Sequence, residues 1–405
     1  MPSSITWLDH DAAAAGRSLR MLSLFKQPES RDELGIGGIR DAISDQLFPG
    51  TSTIQTRLRY VFFIPWLFGQ LDAKKVSASN FPGAAREAEN KLLAALIANV
   101  PANAQGIIGR DAGSALKRTP SSVYWAGLST WGLRRHESTI AQYFSQADIR
   151  RAERHQRRAS EEGSVAEGRS GAWHPRLQAL CPDGFPESAQ LDLEKDEAEF
   201  LLDRWRLECP DSLLTWLAMD MARMGAAASV GSDRIWEHPR LGEFPESLRQ
   251  LTLDAQRFDS LIHGAALLYN LQLAELEDQA HWVAQHGAAL KDWHETQAGR
   301  FRSLDLAAFW PRVLGKGHSI SLDTQRFIEE WRAVACAPTS DIAGSSRART
   351  LVELRERKLK GERSRFRNQG ARKQWGGAAG LVPLSYRWPI TRSFLGEWHA
   401  GWSLA

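Results

Sequence analysis

Cysteine is scarce in this chain: Cys181, Cys209 and Cys336 are the three among 405 residues. Their wide spacing and odd number exclude a disulfide framework and a cysteine-based zinc cluster, and they fit a reducing compartment. No uninterrupted run of about 18 apolar residues occurs, so no membrane-spanning helix is expected. The first residues lack an apolar signal region, and the expected location is the cytoplasm. Catalytic signatures are missing as well. There is no Gly-x-Ser-x-Gly, no Gly-Lys-Ser/Thr phosphate loop and no His-Glu-x-x-His. Glu277 and His281 share the i,i+4 spacing of a metal pair but lack further ligands. Glu356 and Lys358 have a nuclease-like spacing without a supporting carboxylate. Catalytic residues, metal and cofactors are therefore assigned as none, and a site assembled from distant residues stays open.

What is present is a helical pattern. Hydrophobic residues make up 43% of the chain and aromatics 9%, with sixteen tryptophans against five tyrosines, enough to exclude wholesale disorder. Apolar residues recur at 3–4 spacing from Ser4–Lys26 to the closing Ile390–Trp402 segment, so a mainly α, multi-helix fold is expected. Pro245–Leu290 reads as the longest helix or helix pair. The length predicts more than one domain. We place an N-terminal helical part at 1–150, a polar linker at 151–186 and a second helical part at 187–405.

The least ordinary stretch is Arg31–Trp66. Gly35, Gly37 and Gly38 permit a tight turn, Ile39–Phe48 reads as a helix, and Pro49-Gly50 stops it. Thr51, Ser52 and Thr53 then read as caps of a second helix. Arg57 and Arg59 lie among its apolar residues and require partners. Two readings stay open. The arginines pair internally, with Asp41 and Asp45 the nearest carboxylates. Alternatively, Gly35, Gly37 and Gly38 present N–H groups to a phosphate, with Arg40, Arg57 and Arg59 converging as a candidate anion pocket.

The stretch RDELGIGGIRDAISDQLFPGTSTIQTRLRY, with Trp7-Leu8-Asp9 before it and Trp66 after, resembles a bacterial family defined as a domain of unknown function. The resemblance continues in Pro120–Gly132, Gly264–Glu275 and Tyr386–Trp388, and covers nearly the whole chain. It implies no chemistry. It does imply a gene neighbourhood of the phage-defence type.

Charge is unevenly spread although the net charge is only +3. Residues 187–211 hold nine acidic and three basic side chains. Residues 345–373 hold eleven Lys/Arg and three Glu. Within the basic segment, Arg355, Arg357, Lys358, Lys360, Arg363, Arg365, Arg367, Arg372 and Lys373 are candidate phosphate contacts, with Trp375 or Trp388 as a stacking surface. Ile107–Phe144 has the rhythm of a helix-turn-helix, in which Arg118, Arg134 and Arg135, with Arg110 and Lys117, would grip phosphates. The expectation is a non-catalytic nucleic-acid-binding component of a multi-protein system, with other proteins as further partners and no membrane. One alternative is an adaptor docking through its charged faces. Another is an enzyme holding a phosphate-bearing ligand near Gly35–Gly38. The first expectation requires the cations of 345–373 to be left unpaired by the protein itself.

Overall fold

The structure, a computed structural model, describes residues 32–113, 116–160, 171–225, 231–338 and 341–404. The expected Ser4–Lys26 helix lies outside them. Sixteen α-helices and no strand occur among the described residues. No helix there is long and apolar enough to cross a membrane. The chain divides into two compact units, Met1–Ile43 with Arg249–Tyr386, and Ser44–Leu248 with Arg387–Ala405. This division interleaves along the chain, whereas the sequence suggests consecutive parts meeting at 151–186. Composition marks where a chain is polar; it carries no signal for which distant segments return to pack together.

In the Ser44–Leu248 unit the Tyr60–Ala73 helix is the centre. It buries Tyr60, Phe62, Phe63, Trp66 and Phe68 around most of its circumference, as an apolar helix must. It packs on the Phe81–Asn99 and Pro120–Thr130 helices. Phe68 meets Phe81 and Phe144 edge-on at ring distances of 6.0 and 5.6 Å, a geometry favoured by the ring quadrupoles. A second group, the Lys195–Glu208, Leu213–Met224 and Trp388–Trp402 helices, packs around Trp205 and Trp398.

The segment 51–59 is a loop with turns, not the expected start of a helix. Its polar groups explain why. Gln55 accepts from Ser52 N at 2.8 Å and donates to Gly50 O at 3.1 Å. The Tyr124 hydroxyl accepts from Thr56 N and Arg57 N and donates to Arg57 O. Backbone groups satisfied by side chains have no need of a helical ladder.

In the unit containing Arg249–Tyr386, the long Glu246–Leu276 helix supplies Phe258, Leu261, Ala265 and Leu268 to the core. Two indole N–H groups bind its carbonyls, Trp293 to Ser260 O at 2.6 Å and Trp331 to Leu261 O at 2.9 Å. Gly264 makes this possible, because a Cβ there would stand 2.2 Å from the Trp293 ring. The Ala280–Arg302, Leu322–Ala335 and Ser346–Lys360 helices pack in sequence beside it. Pro311 lies inside the Leu306–Leu314 helix.

One buried acid gives the Ser44–Leu248 unit a pH signature. Glu89 accepts from Ser121 N at 2.7 Å, and burial is the main cause that pushes its pKa above 4.5. With the folded pKa above the unfolded one, the folded state binds the extra proton between the two values. Stability from this group therefore falls as pH rises through that window. Glu89→Gln keeps an acceptor for Ser121, so it is expected to gain stability relative to the native protein between pH 5 and pH 7. Urea unfolding of both proteins at the two pH values measures this, and an identical difference at both would refute it.

Candidate functional site: the basic segment and the cavity beside the glycine turn

The basic segment folds as the Ser346–Lys360 helix, capped by Ser345, followed by a 3-10 turn and the short Gln369–Arg372 helix. Most of its cations turn toward the protein. Arg355 is buried and donates to Leu34 O at 2.9 Å, Gly35 O at 3.2 Å and Thr324 Oγ1 at 2.8 Å. Arg365 and Lys360 both reach the buried Glu33 carboxylate, at 3.0 and 3.3 Å. Arg372 pairs with Glu277 at 2.5 Å, Arg357 with Glu353 at 2.8 Å, Lys358 with Asp323 at 2.7 Å and Arg349 with Glu275 at 2.6 Å. Arg363 is exposed and has a partner of its own. Arg347, Arg367 and Lys373 are exposed and form no ion pair among the described residues. The sequence shows how many cations there are. It cannot show that carboxylates from three other segments, around Glu33, Glu275–Glu277 and Asp323, reach them.

The glycine turn does not present an open anion site. Asp32 accepts from Ile36 N at 2.8 Å and Gly37 N at 2.6 Å, so the protein's own carboxylate occupies the start of the Gly37–Leu47 helix. Gly35, at φ +69°, lies where a Cβ would stand 2.6 Å from the Arg355 guanidinium; it admits a side chain, not a ligand. Gly38 is exposed. Arg40 pairs with Asp41 at 3.2 Å, as the internal reading expects. Arg57 pairs instead with Glu397 at 3.1 Å and Asp192 at 3.3 Å, and Arg59 with Glu197 at 2.8 Å. Asp45 pairs with Arg387 at 2.5 Å. Carboxylates distant in sequence replace the nearby ones because folding, not chain proximity, sets which charges share a dry site.

The helix-turn-helix expectation is corrected in its first half. Residues 108–112 form turns, and Arg110 donates to Ala102 O and Ala104 O, which stabilises a loop. The Pro120–Thr130 helix forms as expected, N-capped by Thr119. Arg134 is buried with its guanidinium 4.6 Å over the Trp125 ring, so it does not face a phosphate. Arg118 is half-buried without an ion pair among the described residues, and Arg135 is exposed with a partner. Glu277 is taken by Arg372, and among the described residues no group of three His, Cys, Asp or Glu side chains is placed to hold a metal. Glu356 is buried, accepting from Ser364 Oγ and Arg365 N, and burial raises its pKa. It works as an internal acceptor.

A cavity of about 100 Å³ opens beside the glycine turn. Asp259, His263 and Tyr269 line it from the long helix, Asp32, Glu33 and Arg40 from the chain around the turn, and Ala379–Leu384 from a loop. Asp259 accepts from Leu384 N at 2.7 Å, which ties the loop to the helix. Burial lowers the His263 pKa, so its imidazole is neutral at pH 7. Burial raises the Tyr269 pKa, keeping that phenol protonated. The sequence pattern misses this site, since these positions read as bundle core. The one signal is the polar pair Asp259 and His263 breaking an apolar stripe.

The described residues thus define an all-α protein whose basic segment is largely paired from within, with a small polar cavity beside its signature turn. Over residues 2–401 the chain matches the profile described as "Family of unknown function (DUF6361)", and it belongs to that family. No curated protein and no solved structure matches it.

If the cations are clamps, removing one destabilises the fold. Arg365→Gln is expected to lower unfolding stability by roughly 3 kcal/mol, because Glu33 loses a partner in a dry site. Lys373→Gln is expected to change it by less than about 0.5 kcal/mol. Chemical denaturation of the two variants decides, and equal effects would exclude the clamp.

Proposed function

We propose that the protein is a non-catalytic adaptor subunit that docks another protein through its acidic face, working in the cytoplasm within a multi-protein system of the phage-defence kind suggested by its signature stretch. The carrying observation is a pair of exposed acids on one helix that form no ion pair among the described residues, in a segment where Asp192, Glu194, Glu197, Asp203 and Glu208 are paired within the protein. Eight of the eleven cations at 345–373 have partners within the protein. On the Lys195–Glu208 helix, Asp196 and Glu199 are exposed and form no ion pair among the described residues, as does Asp211 just beyond it. Asp196, Glu199, Asp203 and Leu207 fall at spacings of three and four, one stripe of the helix, with Asp203 in an exposed pair with Arg176 at 3.3 Å. Leu207 is 66% exposed at its end. A carboxylate row with an apolar terminus fits a basic partner surface, where charge sets encounter and orientation and the apolar contact adds affinity.

The test is co-purification with products of adjacent genes. Changing Asp196, Glu199 and Asp203 together to Lys is expected to abolish complex formation while leaving the unfolding midpoint near that of the native protein. Complexes that survive the triple change would overturn this reading.

Nucleic-acid binding is the second reading, and Arg347, Arg367 and Lys373 favour it because they remain exposed and unpaired among the described residues. Three phosphate contacts predict a slope of log K against log salt near −3, whereas eleven would give about −10. A duplex titration across salt measures it. A slope near −10, or one unchanged in the triple Gln variant of these residues, would exclude contact through them.

A further inference from the structure

The polar groups around the cavity are already engaged by the protein. Asp32 accepts from Ile36 N and Gly37 N, and Glu33 holds Lys360 and Arg365. Asp259 accepts from Leu384 N, and Arg40 pairs with Asp41. The Tyr269 oxygen accepts from Arg365 at 3.2 Å. His263 is half-buried and uncharged at pH 7, because burial lowers its pKa. A charged guest would meet no spare counter-charge, and burying one without a partner is unfavourable. Much of the remaining wall is apolar, with Leu34, Ile36, Ile262, Ala266, Val382 and Leu384. Such a wall favours an apolar guest.

The volume and the rim narrow the choice. About 100 Å³ is less than the roughly 150 Å³ that holds a whole benzene molecule, so the cavity takes most of one large side chain. Val382, 67% exposed, and the exposed Pro383 line it at the surface. A guest that continues past the cavity would cover these two apolar residues as well.

Chain connectivity supplies the guest. Asp32 lines the cavity and is also the first described residue, so the 31 residues before it are tethered at the cavity itself. Directly before Asp32 the sequence runs Lys26-Gln27-Pro28-Glu29-Ser30-Arg31, which carries no large aliphatic or aromatic side chain other than the proline ring. The first one met is Phe25, with Leu24, Leu22 and Leu19 behind it. Seven residues from Phe25 to Asp32 span at most roughly 25 Å, and Pro28 disfavours a continuous helix through them. A tether this short presents its end at an effective concentration on the order of millimolar. A second copy of the chain, or a dilute solute, competes poorly against that.

We infer that the cavity is a docking socket for the chain's own preceding segment, with the Phe25 ring as the guest. The socket then holds the signature turn from one side, as Arg355 holds it from another through the Leu34 and Gly35 carbonyls. This inference does not depend on the acidic docking face.

The test is disulfide trapping in the full chain. Phe25→Cys combined with Val382→Cys is expected to form an intrachain 25–382 disulfide under mild oxidation, mapped by mass spectrometry of tryptic peptides. Phe25→Cys combined with Glu329→Cys, an exposed position on the Leu322–Ala335 helix, is expected to give at least about tenfold less. Trypsin cleavage after Lys26 provides a second measurement. It is expected to be slow in the native protein and at least about tenfold faster in Phe25→Ser, a change made outside the core helices. Three results overturn the inference: equal disulfide yields in the two pairs, 25–382 disulfides that join two chains and so reveal a second copy as the guest, or cleavage after Lys26 at the same rate in the native protein and Phe25→Ser.

Discussion

Glu33 is the carboxylate on which the first unit turns. It is 6% exposed and sits between Lys360 and Arg365, more than three hundred residues along the chain. Next to it, Arg355 donates to the Leu34 and Gly35 carbonyls, and Asp32 caps the following helix. A buried carboxylate without cations would be untenable, and so would buried guanidiniums without acceptors. Each half of the arrangement makes the other possible, and together they fix the glycine turn against the basic helix and shape one wall of the cavity.

The same economy of polar groups recurs elsewhere. Arg59 and Glu197 form a buried pair in the other unit. Indole N–H groups of Trp66, Trp293, Trp331, Trp388 and Trp398 each donate to a backbone carbonyl of another segment. In these five, the large ring fills core volume and its one donor links two segments. Many of the arginines and tryptophans that read as nucleic-acid contacts in the sequence, Arg134, Arg355, Arg365 and Trp388 among them, are interior groups.

Much of the architecture was legible. The apolar spacing of Leu248 to Leu276 marks a long helix, and Glu246–Leu276 forms as one. The errors fall where side chains compete with the helical ladder. Residues 51–59 have helical periodicity and good caps, yet Gln55 and Tyr124 bind the backbone of a loop there. Ile107–Phe144 has the rhythm of a helix-turn-helix, yet residues 108–112 form turns in which Arg110 holds a loop. Local pattern cannot register a hydroxyl supplied from 68 positions away.

By itself the sequence determined that the chain is helical, where its long helices lie, which stretches carry opposite charge, and that a glycine turn stands beside an arginine-rich signature. These are consequences of periodicity and composition, which act over a few residues. Only the tertiary structure decided which charges are consumed and which remain at the surface, because pairing depends on positions in space. It also brought Asp32, His263, Tyr269 and Leu384 around one cavity that no contiguous stretch could reveal.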